Sequence, residues 1–185
     1  MDDRIVSVRE VLTFWFSGPA SRHWFNSTPD FDSVIRERFE AVWQQARDGA
    51  LSSWEQTPEG ALALVIVLDQ FPLNMYRDQA VSYSTEAQAR AVASRAIDRG
   101  HDRQLPDDRV AFLYLPFMHS ETLADQDRSV ALFRAAGLDK NLEFARGHRD
   151  IVRRFGRFPH RNRILGRDSN AEELAWLASP EAFNP

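Results

Sequence analysis

Three stretches of the chain set acids, imidazoles and guanidinium groups beside apolar runs, where proton transfer or anion binding would be carried out. The first runs from Leu68 to Arg77. Asp69 and Gln70 directly follow the eight apolar residues Ala61 to Leu68, so they belong at the inner end of a buried helix. A carboxylate there needs a partner, because an unpaired buried charge costs several kcal/mol. Asp69 is then either a structural acid paired with an Arg of the third stretch, Arg154 or Arg161, or a pocket acid or base, with Gln70, Asn74 and Arg77 beside it. The second stretch is Leu115-Pro116-Phe117-Met118-His119-Ser120-Glu121. Two residues apart on a helix, His119 and Glu121 point in different directions, which argues against a two-ligand metal pair. The spacing permits a general acid/base histidine oriented by a more distant carboxylate, or a hydrogen-bonded core histidine. The third stretch, Arg153 to Asn162 with Leu165-Gly166-Arg167, alternates Arg with Phe and holds His160.

Between Arg146 and Arg167 there are eight Arg and one acid, a charge of +7, leaving −11 on the rest of a chain whose net charge is −4. All basic residues but Lys140 are Arg, whose planar fork suits carboxylate or phosphate. These Arg either converge on a cleft that takes an anion or neutralise the acids elsewhere. An acidic protein with one short basic stretch is a poor nucleic-acid binder. No Gly-x-Ser-x-Gly, Gly-rich phosphate loop or His-Glu-x-x-His occurs, and with no cysteine a disulfide framework and a thiolate site are excluded. No metal or other cofactor is expected.

At 185 residues, 43% apolar, with thirteen Phe and five Trp, the chain has ample material for a core. The apolar run at 61–68 is too short for a membrane span, and Met1-Asp2-Asp3-Arg4 leads into no signal-type stretch, so a soluble cytoplasmic protein is expected. The periodicity is helical. Thr28-Pro29 opens a helix closed by Gly49, and Thr57-Pro58 opens a buried one expected to stop at Phe71-Pro72. Thr85-x-x-Gln88 and Ser169-x-x-Glu172 read as capping boxes, the former opening a helix that ends at Gly100. Further helices are expected near 107–115, 116–124, 127–136 and 139–155, the last ended by Gly156 and Pro159. No hairpin signal appears, so the expected fold is all-α: eight or nine helices in antiparallel pairs, forming one domain over residues 1–185.

Taken in order, Val11-Leu12-x-Phe14-Trp15-Phe16, Trp24-Phe25, Gly49-x-Leu51-x-x-Trp54, Leu68-Asp69-Gln70-Phe71-Pro72, Leu115-Pro116-Phe117, His119-Ser120-Glu121 and the run from Arg154 to Arg167 resemble the bacterial "domain of unknown function 924" family over almost the whole chain. The resemblance implies a helical bundle similar to the tetratricopeptide-repeat superfold and implies no established activity. Leu73 stands where the family usually has Arg.

Two functions follow. In the first, Asp69, His119, Glu121 and His160 carry acid/base chemistry on a small carboxylate or phosphate held by Gln70, Asn74, Arg77, His148, Arg154, Arg157, Arg161 and Asn162. In the second, the chain is a helical scaffold for a peptide or protein partner.

Overall fold

A computed structural model describes residues 6–180 and 182, and among them every regular element is helical. Met1 to Arg4 lie outside the described residues. The packing forms two compact units, one of Met1–Arg77 with Val81–Pro116 and the other of Asp78–Ala80 with Phe117–Pro185.

In the first unit, Ser7 and Glu10 cap each other at the start of α1 (Val8–Trp15), which buries Val11, Leu12 and Trp15. After the single turn α2 (Gly18–Ser21) comes α3 (Pro29–Arg47). Thr28 caps it, Pro29 sits where a missing N–H costs nothing, and Ile35, Phe39, Val42 and Trp43 form its buried face. Thr57 likewise caps α4 (Pro58–Val65), which is apolar all round from Gly60 and buried on every side. Helices α1 and α6 (Glu86–Asp98) pack on α4.

The expected stop at Phe71-Pro72 does not occur. The chain passes from α4 through a π-helical turn, Ile66–Gln70, into α5 (Phe71–Met75), with the Phe71 N–H donating to the Ile66 carbonyl. Pro72 has no N–H to give the Leu68 carbonyl, and its ring would crowd that oxygen in a regular helix. The wider turn accommodates the ring, and Thr85 supplies the missing donor, its hydroxyl reaching Leu68 O at 2.5 Å. For that reason the Thr85-x-x-Gln88 box does not form: Thr85 precedes α6, but its side chain makes no cap bond. It accepts instead from Trp43 Nε1 at 3.2 Å.

Helix α7 (Asp107–Met118) also runs on through its proline, Pro116, to buried Phe117 and Met118, since packing outweighs the one lost hydrogen bond. The break expected at 115–116 therefore lies after Met118. The second unit holds α8 (Leu123–Ala135) and α9 (Asp139–Phe155), packed together across a three-residue connection, and α10 (Ala171–Leu177). Gly156 ends α9 in the left-handed conformation, φ +71°, as its position predicts. The last helix is capped one residue later than expected, by Asn170 with Glu173. The hydroxyl of Ser169 is taken by Asn162 Nδ2, at 3.0 Å.

Candidate functional site

In the first unit the polar residues of the Leu68–Arg77 stretch are part of the packing. Asp69 is fully buried on the π-turn and accepts from Gln70 Nε2 at 2.6 Å. Asn74 and Arg77 converge on Asp32, a residue no motif had marked. Asn74 Nδ2 donates to Asp32 Oδ1 (2.8 Å) and to Ser27 Oγ (3.0 Å), and Arg77 grips both carboxylate oxygens at 2.8 and 3.1 Å. Burial works against ionisation of Asp32, but the bonds from Arg77, Asn74 and Ser27 prevail and hold its pKa below the usual value. Two of the proposed substrate ligands thus fasten the first turn of α3, and Ser27 just before it, to α5 and the residues that follow it.

In the second unit, His119 and Glu121 lie in the turn after α7, so helical spacing does not govern their directions. That turn is fixed from α8. The fully buried Gln126 donates to the Met118 and Ser120 carbonyls at 2.7 and 2.6 Å, and Asp125 accepts from Ser120 Oγ at 2.6 Å. Glu121 receives the Phe158 N–H (2.8 Å) and both terminal nitrogens of Arg167 (2.7 and 2.8 Å). Burial opposes its ionisation, but these donors and Arg161 outweigh it and lower its pKa. Both oxygens of Glu121 are thus engaged in holding Phe158 and Arg167. Arg167, quoted only as part of a motif, completes the anchor by donating its Nε to Asn162 Oδ1 at 3.0 Å. An acid near an Arg-rich turn was the available signal, but nothing in the spacing selects Arg167 among eight Arg.

This anchor holds Phe158, around whose buried ring three of the expected site residues gather. His148 meets it edge-on, 5.7 Å between centroids, and His160 lies 5.5 Å away. The Arg161 guanidinium carbon stands 4.8 Å above the ring, with the residue 6% exposed. Burial pushes the His148 pKa down to about 4, with the charges of His119 and Arg161 adding to it and the Phe144 carbonyl opposing. His160 falls to about 3, through burial and then Arg161. Both imidazoles are therefore neutral at pH 7. His148 Nδ1 lies 2.8 Å from the Phe144 carbonyl, which fixes the proton there and the lone pair on Nε2.

The three arginines expected to converge have separate tasks. Arg157 forks onto Glu173 at 2.6 and 2.9 Å and reaches the Asp168 carbonyl, locking the cap of α10. Arg154 is half exposed, bonded to Glu172 at 2.8 Å and lying over the Phe155 ring at 4.8 Å. Arg161 stays with Phe158. Of these, Arg154 borders an open cleft of about 370 Å³ between α9 and α10, whose wall includes Phe144, His148, Ile151, Phe155 and Trp176 together with the acids Glu143 and Asp150. A Cβ added at Gly147 would meet nothing within 4 Å. Among the described residues no group of three His, Asp or Glu is arranged to hold a metal ion, and no helix is long and apolar enough to cross a membrane.

No curated protein matches the chain significantly. Among solved structures, the chain is similar to a protein of unknown function from Agrobacterium tumefaciens: 41% identity, 92% of this chain and 96% of that one covered, TM-score 0.88. The likeness spans both units. The description "Bacterial protein of unknown function (DUF924)" matches residues 11–181, which contain every residue of the Phe158 cluster and the cleft, and the chain belongs to that family.

Proposed function

We propose that this protein binds a small carboxylate or phosphate in the α9–α10 cleft and acts on it by general acid/base chemistry through His148. The reading rests on one observation: His148 is a buried, neutral imidazole in the wall of an open cleft, with Arg154 at the rim and Arg161 beside it. The exposed ion pair of Arg154 with Glu172 is screened by solvent and worth under about 1 kcal/mol, so an incoming anion displaces Glu172 at little cost. A bound anion raises the His148 pKa toward neutrality, where proton transfer in either direction is efficient. His119 and His160 adjust that basicity, and the cytoplasm is the compartment this chemistry suits.

The test is a thermal-shift panel of inorganic phosphate, acetate, succinate and nucleotides on wild type, Arg154→Gln and His148→Asn. At 100 times its dissociation constant a ligand adds about 2.7 kcal/mol to stability. The expected result is a rise in wild type that shrinks in Arg154→Gln, a surface change that leaves the fold intact. An anion response equal in wild type and Arg154→Gln, or none at all, overturns the reading. The scaffold reading draws support from Phe144, 49% exposed beside the cleft, and would be favoured if only peptides gave a shift.

A further inference from the structure

A second cleft lies in the first unit, about 580 Å³ in size, walled by Val8 and Leu12 of α1 with Phe16 just after it, and bordered by Arg9, Arg109 and Glu59. Most guanidinium groups near the core meet a carboxylate, as Arg77, Arg95, Arg157 and Arg167 do. Arg9 and Arg109 do not: among the described residues neither guanidinium makes an ion pair or a hydrogen bond, and neither comes within 4.0 Å of the Glu59 carboxylate. Arg109 is nevertheless held in place. Its guanidinium carbon stands 4.9 Å over the Phe16 ring, and its Nε is shielded from solvent without an acceptor. A half-buried guanidinium lacking acceptors gains more from a ligand oxygen than one already paired in water.

We infer that this cleft is a binding site for a monocarboxylate with an apolar chain, its carboxylate on Arg109 and Arg9 and its chain along Val8, Leu12 and Phe16. The charge arrangement selects this class. Among the described residues two cations face one acid, a net +1, which suits a single negative charge and penalises inorganic phosphate through Glu59. The apolar wall beside the cations has no use for a ligand that is polar throughout. This site is separate from the α9–α10 cleft, and either can be right without the other.

The experiment is isothermal titration of the full chain with acetate, butanoate, hexanoate and octanoate, and with inorganic phosphate as the contrasting anion. Affinity should rise with chain length, by up to about fourfold per buried methylene. Arg109→Gln should weaken octanoate about tenfold, Arg9→Gln several-fold, and Glu59→Gln should tighten it. Arg154→Gln should leave octanoate binding unchanged, which separates this result from that of the other cleft. Arg9 and Glu59 are exposed, so their variants decide the matter even where Arg109→Gln does not fold. Octanoate that binds no better than acetate, or equally well in wild type, Arg9→Gln and Arg109→Gln, overturns the inference.

Discussion

Replacing Thr85 by Val removes one hydroxyl and keeps the shape, which isolates the bond that permits the π-turn. Thr85 is wholly buried and links two groups: it accepts from Trp43 Nε1 at 3.2 Å and donates to Leu68 O at 2.5 Å. In Thr85→Val both are left in the core without that partner. A buried donor or acceptor without a partner costs about 1–3 kcal/mol, so the pair gives about 2–6, offset by roughly 1 kcal/mol from the more apolar Val. The expected loss is about 1–5 kcal/mol, read by urea unfolding with the slope unchanged. Thr85→Ser keeps the hydroxyl and should lose only about 1 kcal/mol through the missing methyl. Pro72→Ala gives residue 72 an N–H that can serve Leu68 O, so Thr85→Val should cost about 1 kcal/mol less in that background. If Thr85→Val falls within about 0.5 kcal/mol of wild type, or Thr85→Ser is equally damaging, the account of how the helix passes Pro72 is wrong.

Acid should weaken the fold in two stages. His148 and His160 are neutral in the fold with pKa values of about 4 and 3, so the unfolded chain takes up protons first, and stability falls as pH drops below about 6.5. His148 alone accounts for on the order of 3 kcal/mol by pH 4, and His148→Asn should flatten this stage in urea titrations at stepped pH. Below about 4.5 the carboxylates with depressed values, Glu121, Asp32 and Glu173, lose their contribution as pH falls through their folded pKa values, and a monotonic rise in stability from pH 7 to 4 would contradict both stages. At Gly60 a Cβ would stand 2.0 Å from the Trp54 carbonyl oxygen and 2.9 Å from Thr57 Oγ1, the cap of α4. Gly60→Ala should therefore destabilise by about 3 kcal/mol despite the better helix propensity of Ala, and a stabilised variant would contradict the close approach of those segments.

The helices were legible because their boundaries are written in local chemistry. Thr28-Pro29, Thr57-Pro58 and Gly156 each act on backbone groups three or four residues away, and each lies where it was expected. Apart from the break expected at 115–116, the misread boundaries involve a partner farther off in the chain. Pro72 continues a helix because Thr85 takes the stranded carbonyl, and Thr85 fails as a cap because it is used there. Ser169 yields its cap to Asn170, its own hydroxyl being bonded to Asn162. The candidate site was legible as a set of residue types and illegible as a geometry. His148, His160 and Arg161 do gather, but their common centre is Phe158, a residue with no titratable chemistry. Ion-pair choice is the least readable feature, since any of many Arg satisfies a given acid on charge alone.

The excess of Arg over Lys answers to geometry on both sides of the question the sequence left open. Asp32, Glu55, Glu121 and Glu173 are shielded carboxylates, and each accepts two hydrogen bonds from one guanidinium: Arg77, Arg95, Arg167 and Arg157 respectively. A lysine ammonium is a point charge and would leave the second oxygen without a donor, so these four account for scaffold arginines. A different set has its guanidinium carbon over an aromatic ring, 4.8–4.9 Å from the centroid: Arg109 over Phe16, Arg154 over Phe155 and Arg161 over Phe158. Stacking uses the flat face of the guanidinium and keeps the edge N–H groups in its plane, the direction from which a carboxylate or phosphate approaches. An arginine forked onto a buried acid resists a ligand, because breaking the pair strands a charge. A ring-stacked one is fixed in position before the ligand arrives. The distinction assigns Arg77 and Arg157 to the fold and leaves Arg154 and Arg109, each at the border of a cleft, as the cations best placed to meet an anion.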